Sequence, residues 1–182
     1  GLPHGRLLPV LGPLFACWTR ARWLGARLKK GSWSCKAEVQ YEWLVRHALR
    51  LADTQQRFVL SQGEASSPEW SKDLFSTAIA LVGDKRDCAA AAVAISRGVV
   101  PKKLKFDAGD LPKASINSDW SGVAVMAAGW SQSDARLAVA YADDPVRIEL
   151  SVDGERLLSG AWLSETTCDG EPVQITGEWE RL

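Results

Sequence analysis

Between Val99 and Pro112 the hydrophobic period of this chain changes from helical to alternating, and no other feature restricts its fold as much. Upstream, apolar residues return every three or four positions. Downstream, stretches such as Val146-Arg147-Ile148-Glu149-Leu150-Ser151-Val152 send successive side chains to opposite faces. Helices first and strands second argue against a βαβ parallel sheet and predict an α+β chain. The expected division is a helical domain over 1–100, a linker over 101–112 and an antiparallel β domain over 113–182. With 182 residues and 46% hydrophobic content, the chain can bury a core.

Four helices are predicted. The first runs over about 11–28, with Pro13 near its first turn and Leu14, Trp18, Ala21, Gly25 and Leu28 as its stripe. The second, 35–52, has Ser34 as N-cap and places Tyr41, Leu44, Val45, Ala48, Leu49 and Ala52 on one face. The third opens on Ser67-Pro68-Glu69, buries Leu74, Phe75, Ala78, Ile79 and Val82, and stops at Gly83. Asp84 caps the fourth, in which Cys88, Ala91, Ala92 and Ile95 allow a close neighbour before Gly98. Short connections make these antiparallel helical hairpins. Strands follow at 123–127, 136–141, 146–152, 155–162 and 173–180, with Asp153-Gly154 as a two-residue hairpin turn. Their spacing suits an antiparallel sandwich-like sheet. Too few helices to close a bundle, and alternation still running at Leu182, give the expectation of a piece of a longer protein that lacks flanking parts of its own domain.

Zero net charge conceals a dipole. Residues 1–112 carry 17 Lys and Arg against 10 Asp and Glu, and residues 113–182 carry 5 against 12. A basic half attracts anions such as acidic polysaccharide or nucleic acid, although solvated helix faces produce the same count. Nucleic acid ranks last as a partner, because the chain has no glycine-rich loop, zinc spacing or recognition helix. Lys102, Lys103 and Lys105 read as a charged linker. Cys17, Cys35, Cys88 and Cys168 lack C-x-x-C spacing and a nearby His pair, which argues against zinc and leaves buried thiols and two disulfides both open. No membrane span is expected, since the apolar run 7–18 is short and broken by Pro9, Gly12 and Pro13. Its positive charges follow it, which argues against a signal peptide.

On the second helix, the face opposite the core stripe collects Trp43, Arg46, His47 and Arg50. A stacking ring, two guanidiniums and a titratable imidazole could hold a sugar, neutralise a carboxylate and take a proton. The same side chains also suit packing against a second layer. Nine Trp against two Tyr supply core volume and flat surfaces for stacking, with Trp120, Trp130 and Trp162 on the strand side.

The block Asn117-Ser118-Asp119-Trp120-Ser121-Gly122-Val123-Ala124-Val125-Met126-Ala127-Ala128-Gly129-Trp130, followed by Arg136-Leu137-Ala138-Val139-Ala140-Tyr141, resembles the start of the β-sandwich in heparinase II/III-like polysaccharide lyases. In that family a toroid of paired helices precedes the sandwich, so the helical half here would be part of an α/α toroid. The resemblance implies β-elimination of an acidic, uronate-containing polysaccharide, and a periplasmic or extracellular location. His47 and Tyr141 would then be the catalytic candidates, with Trp43, Arg46, Arg50 and Trp130 binding substrate. Two departures stand out. Ala127 occupies the place of the family's Arg before Gly-Trp, and Ala142-Asp143-Asp144-Pro145 replaces a turn that carries histidines in typical members. No His follows His47, so no metal or cofactor is expected in this chain, and any divalent metal would take its ligands from elsewhere in a longer protein. The alternative is a non-catalytic glycan-binding or structural module of the same architecture.

Overall fold

A computed structural model of the chain describes residues 2–28, 33–52, 57–61, 68–101, 105–131, 133–142, 145–162, 166–168 and 171–173. Its order is helices then strands, an α+β arrangement. A 3-10 helix (Gly5–Val10) leads into α1 (Leu11–Gly25), followed by α2 (Cys35–Leu51), α3 (Pro68–Val82) and α4 (Lys85–Ala94). Short 3-10 turns at Arg97–Val99 and Ala108–Asp110 precede β1 (Ile116–Ser118), β2 (Val123–Ala127), β3 (Arg136–Ala140), β4 (Arg147–Val152) and β5 (Glu155–Ala161). A two-stranded hairpin, β6 (Thr166–Cys168) and β7 (Glu171–Val173), follows. The expected strand over 173–180 lies outside the described residues except for Val173.

The helix starts match their sequence signals. The Ser34 hydroxyl accepts the Ala37 N–H at 3.3 Å, and the Asp84 carboxylate accepts the Asp87 N–H at 2.7 Å. Ser67 lies outside the described residues, but α3 begins at Pro68 as expected. Gly83 closes α3 because a Cβ there would sit 2.8 Å from the Ile79 carbonyl oxygen. The buried faces of α2 and α3 contain Tyr41, Val45, Ala48, Leu49, Leu74, Phe75, Ala78 and Ile79, as their periods predict.

Of the stripe expected on α1, only Gly25 is buried and Leu14 half-buried. Leu11, Phe15, Ala16, Thr19 and Gly25 are buried, while Trp18, Ala21 and Leu28 are exposed. Phe15 sets the rotation by packing on Phe58 and Phe75, with ring centroids 6.0 and 5.1 Å away. The Tyr41 hydroxyl donates to Thr19 Oγ1 at 2.9 Å, and Thr19 donates on to the Phe15 carbonyl at 2.8 Å. Burial pushes the Tyr41 hydroxyl up to about 12, so it remains a donor. Helix α1 also ends at Gly25 rather than Leu28, and α4 at Ala94 rather than beside Gly98.

The five strands form an antiparallel meander in the order β1-β2-β3-β4-β5. Val123 pairs with Ala140, Val125 with Ala138, and Ala138 with Glu149. These positions form the buried face, whose Val and Ala side chains belong to one continuous core with the helices. The predicted hairpin turn is present, with φ of 52° at Asp153 and 75° at Gly154. Gly122 also needs its glycine: φ is 58°, and a Cβ would lie 2.3 Å from the Ala142 Cβ.

Several polar ties cross between the two halves. Gly5 N–H donates to the Ser121 carbonyl at 2.8 Å, and Arg147 donates to the Gly5 carbonyl at 3.0 Å. The Arg136 guanidinium donates to the Ala52 carbonyl. Leu60 N–H donates to the buried Glu149 carboxylate at 2.9 Å, which also pairs with Arg156 at 3.3 Å. Within the expected linker, Phe106 and Leu111 pack on the core, and Asp110 pairs with Lys85 of α4 at 2.8 Å. Lys102 and Lys103 lie outside the described residues.

Candidate functional site

The four α2 residues singled out by periodicity do converge, but within the junction of the helices with the chain leading into the sheet. His47 is 1% exposed, while Trp43 on the same face remains 40% exposed. Its ring stacks on Trp43, one helical turn earlier, with centroids 5.5 Å apart and planes inclined by 17°. Neither ring nitrogen has a hydrogen-bond partner among the described residues. Burial, with the charges of Arg50 and Arg46 adding to it, pulls the imidazole down to about 3, so it is neutral at physiological pH.

Both guanidiniums are committed. Arg46 makes a bidentate pair with Asp87, at 2.9 and 3.0 Å, and reaches Asp84 at 3.1 Å, tying α2 to the first turn of α4. The hydrogen bond to Asp87 raises the Arg46 pKa. Its charged group also lies 5.2 Å from the Trp43 ring centroid. Arg50 is largely buried, which lowers its pKa; it donates to the Lys113 carbonyl at 3.2 Å and lies 5.8 Å from the Trp130 ring centroid. Trp130 is 6% exposed, with its indole N–H donating to the Pro112 carbonyl at 2.6 Å. Trp43, Arg46, His47, Arg50 and Trp130 are therefore one connected cluster that fastens α2 to α4 and to residues 112–130.

Tyr141 stands apart from it. The residue follows β3, and its hydroxyl donates to Asn117 Oδ1 at 2.8 Å with Asp119 Oδ1 at 3.3 Å. Trp162 is exposed at the end of β5. Cys17 and Cys35 are exposed thiols, and Cys88 is buried beside the Gly83 carbonyl. The Cys168 side chain lies outside the described set. Among the described residues no cluster of His, Cys, Asp and Glu could hold a metal ion, and no helix is long and apolar enough to cross a membrane.

An open groove of about 280 Å³ lies where the N-terminal 3-10 helix, α1 and α2 meet the turn before β2. Trp18, Trp120, His4, Gln40, Leu14 and Leu44 are among the residues that line it. Trp120 is 77% exposed, the most exposed large apolar side chain described. The His4 ring meets it edge-on at 6.2 Å, and Trp18 is held edge-on by Trp33 at 5.9 Å. His4 Nδ1 accepts the Arg6 N–H at 3.3 Å, which leaves Nε2 as the N–H of the neutral ring. The groove thus combines two supported indole rings with an imidazole and a primary amide.

Of these residues only Trp120 was marked by the sequence. His4 and Gln40 have no motif around them, and Trp18 was assigned to the α1 core. A usable signal did exist: Leu11, Phe15 and Thr19 form an i, i+4, i+8 series that competes with the one through Trp18 and would have released that ring to the surface. Compared with known proteins, the chain matches no family, no curated protein and no solved structure.

Proposed function

We propose that this chain recognises polysaccharide, as a non-catalytic glycan-binding module with the heparinase II/III-like order of helices before an antiparallel sheet. The observation that carries this is the exposed Trp120 ring on a groove shared with Trp18, His4 and Gln40. Sugar rings offer flat C–H faces to indoles, while an amide and an imidazole N–H can meet their hydroxyls. Such a site, mostly apolar with few polar groups, has the usual make-up of a ligand cleft. Trp120→Ala should weaken glycan retention about tenfold or more, while Trp162→Ala, outside the groove, should leave it unchanged. Equal binding by the wild type and Trp120→Ala would end the assignment.

A second reading, β-elimination of an acidic polysaccharide, is favoured by His47 alone. Its ring nitrogens have no hydrogen-bond partner among the described residues, and at 1% exposure the ring must be uncovered before a substrate proton can reach it. Tyr141, the acid implied by the resemblance, stands apart from His47, so on this reading solvent protonates the leaving oxygen. Elimination produces an unsaturated uronate that absorbs in the ultraviolet. On this second reading alone, incubation with heparin, heparan sulfate or alginate generates that absorbance and His47→Ala abolishes it; absorbance retained in that variant removes His47 from the reaction.

A further inference from the structure

We infer that the ligand of the Trp18–Trp120 groove is an uncharged polysaccharide, whose sugar rings present flat C–H faces to the indoles, rather than the acidic glycan that the chain's basic half would attract. This inference rests on the glycan-binding reading above and specifies it. Among the described residues no Lys, Arg, Asp or Glu lines the groove. A uronate or sulfate held there would lie against Leu and Trp surface with no Lys or Arg among the described lining residues to pair it, so its charge would gain nothing from binding. Arg22 and Glu38, which join α1 and α2 at 2.7 Å, are paired with each other, Glu38 lying two residues from Gln40. Arg46 and Arg50, the cations expected to bind a carboxylate, are occupied by Asp84, Asp87 and the Lys113 carbonyl elsewhere.

The polar groups that are present suit hydroxyls. Gln40 offers both a donor and an acceptor, and His4 an N–H, and neither requires a charge on the ligand. Binding would come from apolar contact with a small number of uncharged hydrogen bonds, a combination that salt does not screen.

The test is a titration of the intact chain, read by tryptophan fluorescence and calorimetry, with cello-, xylo-, manno- and chitohexaose and with heparin and alginate hexasaccharides, at low and high salt. The expected result is binding of at least one uncharged hexasaccharide, with affinity unchanged by salt, lowered about tenfold or more in Trp120→Ala and retained in Arg46→Lys. Binding confined to the acidic oligosaccharides but lost in Trp120→Ala would overturn the uncharged ligand and leave the groove as a glycan site. Acidic binding that ignores Trp120 and falls steeply with salt, or no binding of any of the six, would overturn both.

Discussion

An imidazole that burial holds at a pKa of about 3 stays neutral in the folded chain, whereas its unfolded counterpart takes up a proton near 6.5. The folded pKa is the lower of the two, so the unfolded state binds more protons as pH falls, and stability drops with it. The full contribution is present above about pH 6.5 and is lost progressively towards pH 3. Between about pH 6.5 and about pH 4.5, His47 alone should cost roughly 2 kcal/mol of folding stability. Denaturant unfolding across that range should show the loss in wild type and a correspondingly shallower curve in His47→Phe. Superimposable pH profiles would show that the ring is not held as described. The sequence placed His47 beside Trp43 and the two arginines and allowed for its packing against a second layer, but did not identify that layer. Helical periodicity assigns one buried face, and nothing local to α2 announces that residues 112–130 return to meet the other.

At the level of elements, the parts that were legible carry strong local signals. Ser34 and Asp84 act as caps, Pro68 opens α3, Asp153-Gly154 turns the β4–β5 hairpin, and the edges of β2 and β3 follow alternation almost to the residue. The parts that escaped lack a period of their own. Phe58, Val59 and Leu60 are buried between α2 and the sheet, yet three residues show neither helical nor strand spacing. The three-residue strand β1 is similarly too short to alternate visibly, and is defined by its pairing with β2. Residue 122 illustrates how tightly such pairing constrains a connection. With φ at 58° and Ala142 2.3 Å from any Cβ, Gly122→Ala must displace the turn before β2 or the end of β3. A loss on the order of 3 kcal/mol is expected, measurable as a lowered urea midpoint at unchanged m value. Near-neutral behaviour would contradict the close approach.

For the molecule as a whole, the division near Pro112 marks a change of secondary structure within a continuous core. Val123, Val125, Ala138 and Ala140 share that core with α1, α2 and α3, and polar ties bind Gly5, Ala52 and Leu60 to the sheet. The helical and strand halves are therefore expected to melt together. Far-ultraviolet circular dichroism, dominated by the helices, and intrinsic fluorescence of a Trp130→Phe variant subtracted from that of the wild type, which reports the junction, should follow one superimposable transition. Separate midpoints would reveal independent units. The pairing of Arg147 with Gly5 has a consequence for synthesis on the ribosome. Some 142 residues separate those partners, so the opening segment leaves the exit tunnel long before β4 can receive it. Phe15, by contrast, meets Phe58 and Phe75 within the helical half and needs no strand to cover it. The clamp of the 3-10 helix onto β4 is thus among the last contacts that synthesis permits, and whatever order it imposes arrives only after the helices have emerged.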